Sequence, residues 1–219
     1  MMGKRFSWLA NHFLRLAFSL ALDLTIDGLE NVPHTGALIV AINHSSFVDP
    51  MLVGAYVPRD VAMMSKAENF RLPLFKYLVK WYGAFPIERG EADRAAIKQA
   101  LEVLRDGRAL LMAPEGTRSS DGQLQAGHDG LALIATRTGA PILPFAIAGA
   151  RPVSKNVSRL RRTKVRVNIG QPFRLKPSSP KPNREELSRL TNEVMFRLAE
   201  LLPLDQRGMY RTAQPSCTS

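Results

Sequence analysis

The chain has 219 residues, of which 45 % are hydrophobic and 22 % charged, so it can bury one substantial core and has the composition of a globular protein. A single cysteine, Cys217 near the end, excludes an internal disulfide framework, and no Cys/His spacing suggests a metal site. The charge is less ordinary. The net is +11, and between Asp129 and Glu185 there are twelve lysines and arginines and no carboxylate, which points to a polyanionic partner, either nucleic acid or an anionic membrane face.

The chain opens on an apolar stretch from Phe6 to Leu24 interrupted by Asn11, His12, Arg15 and Asp23. Its uncharged run Leu16 to Leu22 falls far short of the ~20 residues needed to cross a bilayer. We expect residues 1–24 to form an amphipathic helix lying on or dipping into a membrane; the same pattern also fits a helix packed on the core. Leu24 to Leu29 follows as a short strand, and Ala37 to Ile42 as a buried one.

Straight after that strand comes Asn43-His44-Ser45-Ser46-Phe47-Val48-Asp49-Pro50. Residues five apart lie about 140° apart on a regular helix, so His44 and Asp49 meet only if the chain bends between them. A strand ending at His44 and a helix starting near Asp49, running from Val48 to Tyr56, would supply the bend. A carboxylate on one ring nitrogen of a histidine fixes the tautomer and stabilises the imidazolium formed when the other takes a proton. The same residues also fit a capping box from Ser46 to Asp49, with His44 in a passive loop.

Val61 to Met64 reads as a strand, Phe70 to Trp81 as a basic amphipathic helix, and Gly83 to Gly90 as a strand delivering Arg89. Ala92 to Arg105 is an amphipathic helix stopped at Gly107, and Ala109 to Met112 is a strand running into Pro114-Glu115-Gly116-Thr117-Arg118-Ser119. A helix over Leu131 to Thr138, strands over Ile142 to Ile147 and Lys164 to Ile169, and a helix over Glu185 to Leu202 complete the pattern. Strands alternating with helices predict an α/β fold, with a mostly parallel or mixed central sheet flanked by helices. Its folded unit would span 25–204, and 205–219 would be a mobile tail.

Arg89 and Arg118, each at the end of an apolar strand, could bind a phosphate through the guanidinium fork, although either alone could be a surface ion-pair partner. Glu115 sits between a rigid proline and a permissive glycine, in a loop whose backbone can approach a ligand.

Four segments together resemble the glycerolipid acyltransferases of the type that acylates lysophosphatidic acid. These are the His-x4-Asp block His44 to Asp49, Gly83 to Arg89, Pro114 to Ser119, and Ala140-Pro141-Ile142-Leu143-Pro144-Phe145-Ala146, in the family's order. The resemblance spans about Leu29 to Phe173. It implies His44 as general base and Asp49 as its orienting partner. Arg89, Glu115, Gly116, Thr117 and Arg118 would hold the acceptor's glycerol-phosphate end, and Pro144 would lie near the acyl site.

It also implies acyl-CoA or acyl carrier protein as co-substrate, no cofactor or metal, and a membrane-associated enzyme; the single cysteine suits a reducing compartment, which puts it on the cytoplasmic face. Where many members carry a lysine, this chain has His128 before Asp129-Gly130, which we read as a loop substitution. Another lysophospholipid or a lyso-aminolipid is the alternative acceptor. A non-catalytic basic lipid- or nucleic-acid-binding protein is the alternative of a different class; against nucleic acid, the basic stretch Arg151 to Arg166 carries no aromatic stacking platform.

Overall fold

The structure, a computed structural model, describes residues 2–66, 85–87 and 94–211, with only the backbone described for 2–10, 64–66 and 85–87. Seven strands form one sheet: β1 (Leu22–Asp27), β2 (Leu38–Ile42), β3 (Val61–Lys66), β4 (Phe85–Ile87), β5 (Ala109–Met112), β6 (Ile142–Ala148) and β7 (Thr163–Ile169). Their order is β1-β7-β6-β2-β5-β3-β4. All neighbours are parallel except β6 and β7, so β7 and β1 run opposite to the other five strands. The expected mostly parallel α/β architecture is the one observed.

Every residue of β2 is buried, as a central parallel strand covered on both faces requires. Leu38, Val40 and Ile42 face a core shared with helices α1 (Met2–Ala21) and α2 (Asp49–Tyr56). Ile39 and Ala41 face the opposite core, built with α3 (Arg94–Arg105), α4 (Gly130–Thr138) and α6 (Arg184–Glu200). A short helix, α5 (Val153–Val157), follows β6. The sequence showed no sign of it, because five residues with one buried side chain, Val153, carry no periodicity.

The first helix ends at Ala21 rather than Leu24, because Leu22 is drawn into β1 by pairing with Thr163. It is packed on the core along one side, with Leu14 and Phe18 buried, Phe18 stacked on Tyr56, and Arg15 Nε donating to Ala55 O at 2.7 Å. Phe13, Leu16 and Leu20, on the other side, are exposed. Among the described residues no helix is long and apolar enough to cross a membrane.

The expectation of a mobile tail from Asp205 is corrected for its first part. Two 3-10 turns, Leu204–Gln206 and Gly208–Tyr210, fold back, and Tyr210 is buried edge-on against Phe196 at 5.0 Å. Ring burial holds a segment that has no hydrophobic periodicity of its own. The helix expected over Phe70 to Trp81, Arg89, and residues 212–219 lie outside the described residues.

Candidate active site

Strands β2 and β5 end side by side, and the loops leaving them interlock. The Asn43 side chain extends the β2–β6 ladder by one rung, with Nδ2 donating to Ile147 O at 2.9 Å and Oδ1 accepting from Ile147 N at 2.7 Å. This buried amide pins the chain one residue before His44. The polar side chain directly after an apolar strand was visible in the sequence, but its partner was not.

Past Asn43 the chain bends into α2, and the bend brings His44 Nδ1 to 3.1 Å from Asp49 Oδ2. Since an ionised carboxylate only accepts, Nδ1 carries the proton and Nε2 keeps a free lone pair. The same Asp49 oxygen accepts from the amides of Ser45 at 2.8 Å and Ser46 at 2.7 Å. Asp49 therefore orients the ring and satisfies amides ahead of α2, so half of the expected capping box coexists with the pair. Its carboxylate is fully buried, while the His44 side chain remains 19 % exposed, so one member is locked and the other reaches solvent.

The β5 loop grips His44 through its backbone. Glu115 Oε1 accepts from His44 N at 2.7 Å, Glu115 Oε2 accepts from Gln125 N at 2.9 Å, and Ser119 N donates to His44 O at 2.7 Å. Gly116, Thr117 and Arg118 lie exposed on the turn between these two anchors, beside His44. Arg118 has no carboxylate partner among the described residues; the nearby Asp121 carboxylate takes the Ser119 hydroxyl at 2.8 Å and the Gln123 amide at 2.9 Å.

One expected role is corrected. Glu115 is buried and both its oxygens take backbone amides, so it holds the loops together rather than facing an acceptor. Burial raises its pKa above the usual carboxylate range, against the opposing pull of the Gln125 and His44 amides. Pro144, expected near the acyl site, is buried in the middle of β6, level with Ala41. The β6–β7 ladder slips by one residue here, between Phe145↔Ile169 and the bridge Ile142↔Phe173. Pro144 O accepts from Gly170 N at 2.9 Å. The N and C=O of a strand residue point to the same side, so the missing proline N–H falls at this bulge and leaves the β2 ladder intact.

His128, read as a loop substitution, lies on the site. A Cβ placed on Gly116 would meet its ring at 2.8 Å, and Gly116 has φ 66. Gly116→Ala is therefore expected to strain the turn by about 1 kcal/mol or more and displace His128. Kinetics paired with thermal melts check this: kcat/KM should fall while the melt shifts by only a few degrees, and unchanged kinetics would detach the turn from the site. Among the described residues no cluster of three or more His, Cys, Asp or Glu could hold a metal ion.

A histidine–carboxylate pair at the carboxyl end of parallel strands, with a glycine turn and an arginine that has no carboxylate partner among the described residues, is an arrangement of an α/β protein that can activate a hydroxyl. Residues 23–148 match the acyltransferase family, and the chain belongs to that family as an O-acyltransferase.

The chain is 28 % identical over 190 residues to 1-acyl-sn-glycerol-3-phosphate acyltransferase of Bacillus subtilis, covering 86 % of this chain and 92 % of that one. To lyso-ornithine lipid O-acyltransferase of Pseudomonas aeruginosa it is 37 % identical over 145 residues, 66 % of this chain and about half (53 %) of that protein. The crystal structure of the 1-acyl-sn-glycerophosphate acyltransferase of Thermotoga maritima superposes with a TM-score of 0.69 at 28 % identity, over 88 % of this chain and 77 % of that one. Family membership removes the non-catalytic alternative.

Proposed function

We propose that the protein transfers a fatty acyl group from acyl-CoA or acyl carrier protein to the sn-2 hydroxyl of lysophosphatidic acid, giving phosphatidic acid. The observation that carries this is the 3.1 Å contact from His44 Nδ1 to a buried Asp49, which leaves Nε2 as a base on the accessible side. The names of the B. subtilis and T. maritima relatives support the acceptor.

Nε2 takes the proton of the acceptor hydroxyl as its oxygen attacks the thioester carbonyl. The tetrahedral adduct then expels the thiolate, which recovers the proton from the imidazolium, leaving an ester and a free thiol. Asp49 stabilises the transient cation without moving. Arg118 binds the acceptor phosphate, together with Arg89 from the second motif, while Gly116 and Thr117 let the backbone come close. The acceptor is a lipid, so the enzyme works at a membrane surface, and the cytoplasmic face is the reading that its single cysteine favours.

An acyl-transfer assay with purified protein and liposomes, offering several lysolipids against both donors, tests the assignment; absence of turnover with every phosphorylated acceptor would refute it. A lyso-aminolipid acceptor is the second reading, favoured by the 37 % identity to the P. aeruginosa lyso-ornithine lipid enzyme. Arg118→Ala separates the two. If the acceptor carries a phosphate, its KM should rise about ten- to a hundredfold with kcat nearly unchanged, the loss expected for a charge-assisted hydrogen bond of about 1.5–3 kcal/mol. An unchanged acceptor KM would remove Arg118 from the phosphate site.

A further inference from the structure

The connection from β6 to β7 contains a leucine that the fold itself does not explain. Helix α5 ends in a Schellman turn, in which Arg161 N donates to Asn156 O at 2.8 Å and Leu160 N donates to Val157 O at 3.0 Å. Such a turn needs a left-handed residue before its last donor, and glycine is the usual choice because it has no Cβ to crowd the following carbonyl. Gly139, with φ 62, fills the corresponding position at the end of α4. After α5 the position is filled by Leu160, with φ 53, the one non-glycine residue of positive φ among those described. Burial would be the ordinary compensation for that strain, but Leu160 is 97 % exposed. Backbone strain and water both oppose a leucine here.

Its surroundings share one character. Val157, Lys155, Arg159 and Arg161 are exposed, and neither arginine has a carboxylate partner among the described residues. The next residue, Arg162, donates from its guanidinium to Ser19 O at 3.1 Å and to Leu22 O, which moors the tip to the last turn of α1. There the stripe Phe13, Leu16 and Leu20 faces outward. Strands β7 and β1 run opposite to β2, so the start of β7 and the end of α1 lie on the same rim of the sheet as His44.

We propose that residues 153–162 form a bilayer-inserting finger. Leu160 enters the acyl region of an anionic membrane, Arg159 and Arg161 take lipid phosphates, and the outward stripe of α1 completes a docking face that sets the His44 rim against the bilayer. An acidic protein would satisfy the arginines, but it gives no reason for a strained, protruding leucine beside an apolar helix stripe. A charged bilayer accepts both.

The test is co-sedimentation of the full chain with vesicles of phosphatidylglycerol and phosphatidylcholine. It requires no turnover, so its failure is distinguishable from failure of the acyl-transfer reading on which the proposal rests. Leu160→Gly should melt at or above the wild-type temperature, because the strain is relieved, yet bind these vesicles roughly tenfold more weakly. Leu160→Met, which keeps the apolar tip, should bind like wild type. Arg159→Gln and Arg161→Gln should each cost about fivefold. Wild-type vesicle binding by Leu160→Gly would overturn the proposal, as would a lowered melting temperature in that variant. Vesicle binding left intact while affinity for an acidic carrier protein fell would overturn it in favour of a protein partner.

Discussion

Replacing His44 with alanine is expected to lower kcat by about 10² to 10⁴ while leaving the KM for acceptor and donor nearly unchanged. The base acts only on the proton that moves in the transition state, so its loss leaves substrate binding largely alone. The fold should survive the change. His44 is gripped through its backbone by Glu115 and Ser119, and Asp49 keeps the Ser45 and Ser46 amides when the ring is removed. Steady-state kinetics alongside circular dichroism and a thermal melt check this, and turnover equal to wild type would exclude His44 as the base. On the proposed mechanism Asp49 acts through His44, so the double variant His44→Ala/Asp49→Asn should be no slower than His44→Ala alone. A further large loss would give Asp49 a separate part in the chemistry.

Glu115→Ala is expected to be the most damaging change that leaves the reacting atoms untouched. It strips the acceptor from two amides, those of His44 and Gln125, at about 1–3 kcal/mol for each that stays buried. For a chain of this size that is a fall in melting temperature of several degrees or more, roughly 5–15 °C. Since one of those amides belongs to His44, the proposed base, kcat should fall even at temperatures where the protein remains folded. An unaltered melt would contradict the structural role.

Glu115→Gln should lie between wild type and Glu115→Ala, because an amide oxygen accepts from one N–H while its NH2 group faces the other. The pH dependence of that variant is informative. Burial holds the Glu115 carboxyl above its usual range, so its contribution to stability is fullest below the unfolded-chain value of about 4.3 and declines as pH rises through the folded value. The gap in melting temperature between wild type and Glu115→Gln should therefore be widest in acid and narrow toward neutral pH. A gap that widened toward neutral pH would mean that the amide hydrogen bonds outweigh desolvation.

How much was legible before the fold was known differs from residue to residue. His44 and Asp49 were identifiable as candidates because the bend that joins them is local, lying between a run of apolar β residues and a helix start five positions on. Arg118 was identifiable as a candidate cation at a strand end. Glu115 was singled out for the right loop and the wrong role, since a carboxylate bracketed by proline and glycine looks the same whether it faces a ligand or two amides. That Pro144 lies in a strand interior was not legible, because the bulge that tolerates a proline there depends on Gly170, just past the end of β7. Leu160 drew no notice as one apolar residue among arginines; its left-handed backbone and its exposure are properties of the folded chain.

By itself the sequence determined the alternation of strands and helices, the apolar faces that place a parallel sheet between two cores, the basic character of the second half, and the order of the motifs that carry the chemistry. These follow from local propensity, periodicity and charge, which act over a few residues. Tertiary structure decided which side chains face substrate and which hold the loops. It put the Glu115 carboxylate 71 positions from His44 onto that residue's amide, joined Asn43 to Ile147 across 104 positions, and moored the Leu160 tip to Ser19 of α1 across 143, through Arg162. The physical reason is that a hydrogen bond is made by groups that share a distance and an angle, and only strand order and packing bring residues so far apart in the chain to within about 3 Å.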